Sequence, residues 1–502
     1  MRRTVFTAVS FLGVFVAARA SAATINISPG DDYAKIEAAQ AGDEVVVAPG
    51  TYQFRLHLTH AGTAAKPIVI RAADPASPPL WDLSGKTVDA WPGSSTAGDN
   101  DRGCWQITGS YYEISGVEIT GCNNAGNNAA AIRTVGADHI TIRDAFLHNN
   151  DDGYTGDADP VTLEFCDIAG NGHTTNPPQH NVYVYGGAFT LRYSYVHDTM
   201  GGQNLHIRAH DATIEYNWIA RAENYEADLM TGDQPNQNML LRGNVFVGNA
   251  TPENSGQVIA LYNDQGTGGV SMSLRAIWNT FVIRSGKNPA LVQVRNDTLA
   301  SASVELSNNI VAGTNKSVAL ANAGSGNATV TGSSNWFATG ASVAPLSGSV
   351  FGADPGFADA PSLDFTLAAG SGAIGAVDTS VSGAPDREYY KNETNPLEFR
   401  WRATHADIGA FESTTTGPGF GPYDNPGAGG SAGTGGSAGT GGNAGTSSSA
   451  GTGGTGTGGG AGTSGSNDSG GCGCRTTPRG GAGGAWAFAI GLALGLLLRR
   501  SR

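Results

Sequence analysis

The chain has 502 residues, with 29 Lys and Arg against 43 Asp and Glu, for a formal net charge of −14 near neutrality. That balance argues against a general nucleic-acid binder, because neutralising a phosphate backbone needs a basic face. It suits a soluble exported protein.

Residues 1–22 begin with Arg2 and Arg3, continue through an apolar run from Val5 to Val16, and end in Ala20-Ser-Ala22, a small-x-small cleavage pattern. The run is short for a bilayer span of about 20 residues. A secretory signal peptide, export and an oxidising environment for the cysteines are therefore predicted. From Asp31 to Gln40 the apolar residues Tyr33, Ile36 and Ala39 share one helical face, and Glu44-Val-Val-Val-Ala-Pro-Gly-Thr-Tyr52 reads as a strand into a turn. The helix is expected to cap the open end of whatever follows, since a terminal unit must hide its apolar rung.

From Gly103 to Phe337 one pattern recurs: apolar, two spacers, a small residue or Asn, one spacer, apolar. Its copies are Ile114-Ser-Gly-Val117-Glu-Ile119, Ile142-Arg-Asp-Ala145-Phe-Leu147, Leu163-Glu-Phe-Cys166-Asp-Ile168, Leu191-Arg-Tyr-Ser194-Tyr-Val196, Ile214-Glu-Tyr-Asn217-Trp-Ile219 and Leu241-Arg-Gly-Asn244-Val-Phe246, then copies around Asn279, Asn309 and Asn335. The fourth position advances by as few as 21 residues (Ala145 to Cys166) and as many as 35 (Asn244 to Asn279), the range of stacked repeats. Apolar residues alternate with polar ones inside each copy, and no amphipathic helix fits between copies, so the units are short strands. Coiled one above another, they would place the asparagines in a column that bonds the turn backbone of its own and the next rung. An antiparallel β-sandwich also has many short strands but gives no reason for one Asn column. The expected fold is all-β, a single-stranded right-handed parallel β-helix with an N-terminal capping helix, in one elongated domain over residues 23–412 running as a coil from near Asp43 to near Phe337.

The opening Ala41-Gly-Asp43, Ala48-Pro-Gly-Thr-Tyr52 and Ala64-Ala-Lys-Pro-Ile-Val-Ile-Arg71 resembles that of secreted right-handed parallel β-helix proteins, most of all the polysaccharide lyases that include alginate lyases and chondroitinase B. Asp354-Pro-Gly-Phe357, Asp364-Phe-Thr-Leu367, Gly370-Ser-Gly-Ala-Ile374 and Asp407-Ile-Gly-Ala-Phe-Glu412 look like the closing segment of such proteins, whose acidic residues are read as turn-formers. Residues 413–471 are rich in Gly, Ser, Thr and Ala and read as a disordered tether. In 472–502, Cys472 and Cys474 precede a Gly-rich spacer, an apolar run from Ala485 to Leu498 and terminal arginines. A plain tail anchor is one reading. The arrangement also resembles the sorting tag of myxobacterial surface proteins, which implies processing near Cys472 and Cys474 and attachment at the cell surface.

Of the five cysteines, Cys166 falls in the ladder column, where it is expected to act as a small buried hydrophobe. Cys104 and Cys122 flank one strand-rich turn and are candidates for a disulfide, with free thiols the alternative. No cysteine spacing matches a zinc site.

Five strands that precede ladder copies align as Asn181 to Gly187, Asn204 to His210, Glu226 to Gly232, Val258 to Asp264 and Leu291 to Asp297. With Val182/Val184, Leu205/Ile207, Ala227/Leu229, Ile259/Leu261 and Val292/Val294 inward, alternate residues face solvent. Tyr183, His206, Asp228 and Gln293 then form one column beside Tyr185, Arg208, Met230, Tyr262 and Arg295. Rings that stack on sugars, next to groups that bind carboxylates or move protons, suit a polysaccharide groove. β-Elimination on a uronate needs a base, an acid and a cation at the carboxylate. Candidate catalytic residues are His206 or Tyr183 as base and Arg208 as neutraliser, with Tyr185, His210, Asp228, Tyr262 and Arg295 as substrate-binding residues. Ordinary solvated surface is the alternative.

The lyase resemblance also implies calcium, a basic Lys where this chain has Arg208 and a catalytic Arg where it has Met230; Gly201, Gly202 and Gln203 stand where the acidic calcium ligands belong. Arg208 is a poor general base because it stays protonated. Two classes remain: an exported polysaccharide lyase of uronic-acid glycans, and a non-catalytic glycan-binding or structural surface protein. A monomer is expected in either case.

Overall fold

The computed structural model describes residues 22–88, 91, 102–173, 179–232, 234–263, 269–287, 290–295, 299–313, 317–322, 328–389, 393 and 399–424. The chain divides into two compact units, residues 1–424 and 425–502. The predicted signal peptide and the tail with Cys472 and Cys474 lie outside the described residues, as does the predicted tether beyond Asp424; its first residues, expected to be disordered from 413 on, instead include the strand Thr415–Phe420.

Three long sheets run the length of the first unit, with twelve, twelve and ten strands among the described residues. The first extends from Thr24–Ile27 to Ala328–Thr331, the second from Thr51–Tyr52 to Val350–Gly352, and the third from Leu56–Leu58 to Ser317–Asn322. Every pairing inside them is parallel, and each strand joins the strand one full turn further along the chain, as Ile142 opposite Leu163 and Leu191 opposite Ile214 illustrate. A crossover between parallel strands of one sheet takes the right hand, and the chain forms a right-handed parallel β-helix. Inward residues such as Ile142, Leu163, Leu191 and Ile214 stack into one continuous core, so the coil lengthens without thickening.

The predicted asparagine column is present. Asn217 Nδ2 donates to Asn244 Oδ1 (2.9 Å), Asn244 to Asn279 (2.9 Å), Asn279 to Asn309 (3.1 Å) and Asn309 to Asn335 (2.9 Å). Each oxygen also accepts from the backbone N–H of the preceding member, as Asn279 N to Asn309 Oδ1 (2.8 Å) shows. The smaller residues continue the column: Ser194 N donates to Asn217 Oδ1, and Cys166 N to Ser194 Oγ. In all nine copies the residue before the column has a left-handed φ, from 49° at Asp144 to 68° at Gly116, and Phe165, Tyr193, Tyr216 and Trp278 adopt it despite their size. Backbone of that kind is unfavourable for bulky residues, and the column's bonds are what hold it.

A second ladder, absent from the sequence reading, lies at another corner. Asn150 donates to Asn171 (3.0 Å), Asn171 to Asn181 (2.8 Å), Asn181 to Asn204 (2.7 Å) and Asn204 to the carboxylate of Glu226 (2.6 Å). Cys122 N donates to Asn150 Oδ1, and Cys122 is joined to Cys104 by a disulfide with a Cα–Cα distance of 6.0 Å.

Two expectations need correction. The capping helix spans only Ala34–Glu37, because the Asp31, Asp32 and Asp43 carboxylates accept from the Ser28, Ala34 and Gln40 amides and turn the flanking chain instead. Ile36 and Ala39 are buried, but Tyr33 is exposed. Pairing also outruns Asp43 and Phe337, since Thr24–Ile27 pairs with Glu44–Val47 and Trp336–Ala338 with Val350–Gly352.

The described residues between 357 and 424 then run outside the coil. A three-stranded antiparallel sheet of Arg387–Tyr389, Phe399–Arg402 and Thr415–Phe420 carries Phe399 and Phe420 onto Phe165 and Tyr193, edge to face. Acidic residues of the closing segment hold turns: Glu412 accepts from the amides of His405, Ala406 and Asp407, and Asp354 from Gly356.

Candidate functional site

The third sheet turns one face outward. Register places Gln106, Arg133, Thr155, Tyr183, His206, Asp228, Ala260 and Gln293 in one column, on strands that follow each other directly. Two positions further along each strand come Tyr185, Arg208, Met230, Tyr262 and Arg295. The inward assignment of Val182, Val184, Leu205, Ile207, Ala227, Leu229, Ile259, Leu261, Val292 and Val294 holds throughout, since all ten are buried.

The outward assignment needs a correction. His206, Arg208 and Asp228 are only 5%, 3% and 0% exposed, and Met230 and Tyr262 are buried too. Strands about 4.8 Å apart set these side chains against one another, and rings from neighbouring rungs cover them. His206 lies against His180 (ring centroids 4.6 Å) and meets Tyr183 edge to face (4.8 Å). Tyr183 in turn meets Tyr185 at 5.6 Å. Tyr183, Tyr185 and Arg295 keep part of their surface open.

Beneath that cover, His206 Nδ1 lies 2.9 Å from Asp228 Oδ2. A carboxylate oxygen accepts, so the ring nitrogen that faces it is the donor of this bond. His180 is held well below the ordinary histidine range by burial and by the neighbouring His206 and Arg208 charges, and is therefore neutral. Burial pushes Asp152 up to about 7 against the pull of Arg133, and it also raises the Tyr185 phenol. Arg208 donates Nη1 to the Thr231 carbonyl (2.9 Å). Tyr225 donates to Gln293 Oε1 (2.7 Å) across the one intervening strand, Ile259–Tyr262, and the Arg295 guanidinium lies over the Tyr262 ring (4.5 Å).

Tyr183, Tyr185, His206 and Asp228 thus come together, with Arg208 charging the same surroundings. Tyr262 and Arg295 pair further along the face. His210 stands apart, in the bend between strands Gln203–Ile207 and Asp211–Glu215, 3.5 Å from Asp211. Sequence reasoning missed His180, Arg133, Thr155 and Tyr225. His180 and Tyr225 sit just before the aligned segments, and Arg133 and Thr155 lie on strands that were not aligned.

The residues do not fit the calcium implied by the lyase resemblance. A Cβ at Gly202 would lie 1.8 Å from the Gln179 carbonyl oxygen, leaving no room for an acidic side chain there. No cluster of three or more His, Cys, Asp or Glu among the described residues is arranged to hold a metal ion.

No family model matches the chain, and no curated protein matches it in sequence. Solved structures do. An alginate lyase from Paenibacillus sp. str. FPU-7 is 16% identical over 66% of this chain and 98% of its own, with a TM-score of 0.39. The pectate lyase Pel9A is 15% identical over 79% and 97%, with a TM-score of 0.45. A lacto-N-biosidase from Eubacterium ramulus is 10% identical over 66% and 68%, with a TM-score of 0.41. The expected likeness in fold to polysaccharide lyases is there, and it extends to a glycosidase. It concerns the path of the chain; the β-helix itself rests on the strand pairing.

Proposed function

We propose that the outward face of the third sheet binds an anionic polysaccharide and that the cluster around Tyr183 cleaves it by β-elimination. The observation that carries this reading is the buried His206–Asp228 hydrogen bond set directly behind the partly open Tyr183 ring. In the elimination a base takes the proton beside the uronate carboxylate, the C4–O bond breaks as a C4=C5 double bond forms, and the leaving oxygen gains a proton. Tyr183 is the group placed to meet the sugar. His206, covered by Tyr183 and His180, serves as a positioning and proton-holding residue, its tautomer fixed by Asp228. Arg208 supplies positive charge where the carboxylate builds up negative charge. Export is part of the proposal: the signal-like residues 1–22 and the Cys104–Cys122 disulfide both suit an oxidising compartment, and the tail suits attachment at a surface.

A second reading is a non-catalytic glycan-binding surface. It is favoured by Met230, which packs with Ala260 and Tyr262 where the lyase resemblance implies an arginine, and by the Arg208 N–H spent on a backbone carbonyl.

Incubation with alginate, pectate, chondroitin and hyaluronan separates the two. Elimination produces the ultraviolet absorbance of an unsaturated uronate with at least one polymer, and Tyr183→Phe lowers the rate by roughly 10²–10⁴-fold. Absence of product from all four, with retention on a glycan column weakened by Tyr185→Ala, establishes the binding reading instead.

A further inference from the structure

We propose that Arg133 and Thr155 form a carboxylate-binding subsite on the same face, two strands along the coil from Tyr183, which takes a second uronate of the bound chain. The proposal rests on the polyuronate reading above and adds to it where a distal part of the substrate is held.

Arg133, on strand Ala130–Thr134, is opposite Thr155 on strand Asp152–Gly156, and Thr155 is opposite Tyr183 on His180–Val184. All three lie in the outward column. At about 4.8 Å per strand, Arg133 is about 10 Å from the Tyr183 rung, within reach of a short oligosaccharide bound along the coil.

Arg133 is 4% exposed and Thr155 is 1% exposed. One Arg133 nitrogen, Nη2, donates to the Asn128 carbonyl (2.6 Å). Its Nε and the Thr155 Oγ1 find no hydrogen-bond partner among the described residues. Buried polar groups are nearly always satisfied, and a buried cation nearly always has a counter-charge. Here Arg133 Nε and Thr155 Oγ1 both lack a partner on adjacent rungs of one column. Elsewhere on the coil comparable arginines are paired: Arg192 with Glu164, Arg242 with Glu215 and Arg221 with Asp198.

Two carboxyls share the surroundings of Arg133, and neither forms an ion pair with it among the described residues. Both Asp152 and Asp157 are pushed upward by burial, Asp152 to about 7, against the pull of Arg133. A planar carboxylate is the ligand that a guanidinium edge and an adjacent hydroxyl donor match best. A sulfate ester has a different shape and is left as an outcome of the test.

The test uses the full chain with its disulfide intact. Binding of polygalacturonate and alginate, and of their carboxyl-reduced forms, is measured by calorimetry for wild type, Arg133→Gln and Thr155→Val, with melting curves for each. The expected result is about a tenfold loss of polyuronate affinity in Arg133→Gln, a smaller loss in Thr155→Val, and no change on the carboxyl-reduced polymers. If Arg133→Gln lowers the melting temperature sharply, Arg133→Lys, which keeps the charge but not the fork, must still weaken the polyuronate selectively. Equal affinities in all variants, or equal losses on the charged and reduced polymers, would overturn the subsite. So would a sulfated neutral glycan that binds more tightly than polyuronate and loses its affinity in Arg133→Gln. Unsaturated product with an unchanged KM in Arg133→Gln sinks the subsite and leaves the elimination standing. Carboxylate-selective binding without any product does the reverse.

Discussion

Asn204 donates its side-chain amide to the Glu226 carboxylate at 2.6 Å, so the second ladder ends on an acid rather than another amide. Glu226 also accepts from the Ala222 N–H (2.9 Å) and is 2% exposed. Burial pushes it up to about 8, against the hydrogen bonds from Asn204 and Ala222 and the charge of Arg221, with Asp198 adding to the rise. A carboxyl that holds its proton more tightly when folded adds stability that is fully present below its unfolded value, about 4.3, and is lost as pH rises through about 8. Wild type should therefore melt at progressively lower temperature across that window. Glu226→Gln, which cannot ionise, should flatten this part of the profile and match or exceed wild type above pH 8. Parallel profiles for the two proteins would rule out a titrating ladder end.

His197 gives a second window of the same sign. Burial alone would lower it, but its two ring nitrogens bond Asp167 (3.1 Å) and Asp198 (2.6 Å), and these lift it to about 9. Its contribution is complete below about 6.5 and is lost as pH rises through about 9. Asp198 is also held by Arg221, which reaches Glu393 of the outer segment. Deprotonation should therefore loosen that segment before the coil melts. The check is an NMR titration of His197 together with limited proteolysis of residues 386–424 at pH 7 and 10. Equal cleavage at both would contradict the link.

Asn279 sits mid-column, accepting from both nitrogens of Asn244 and donating to Asn309 and to the Leu241 carbonyl. Asn279→Leu leaves the buried Asn244 N–H and the Leu241 carbonyl short of a partner. It should cost about 1–3 kcal/mol or more in denaturant unfolding. A change below about 0.5 kcal/mol would mean that the column is decorative.

The first ladder was legible because its asparagines hold a fixed offset within a repeated apolar frame. The second was not, because Asn150 and Asn171 end one turn while Asn181, Asn204 and Glu226 open strands, and no single offset covers them. The outward column at Tyr183, His206 and Asp228 followed from period-2 alternation. Its burial did not, because the cover comes from His180, on the face but outside the aligned segments. Arg133 and Thr155 were hidden for a different reason: Thr134 and Gly156 stand where Val184 does, so no inward apolar pair marks their strands.

The outer segment returns toward the start of the coil before residue 424. Arg143 donates to the Pro422 carbonyl (2.7 Å), and Tyr423 to Asp144 (2.7 Å), on the rung of strand Ile140–Arg143, fifth of twelve in its sheet. A pull on the chain beyond Asp424 therefore enters at this rung and not at the terminal strand Val350–Gly352. The load runs first into Phe420 against Phe165 and Tyr193 and into the strand pairing of Thr415–Phe420 with Phe399–Arg402. The last turn of the coil, which would peel one hydrogen bond at a time if tugged from its own end, stays out of the force path until that clasp has given way.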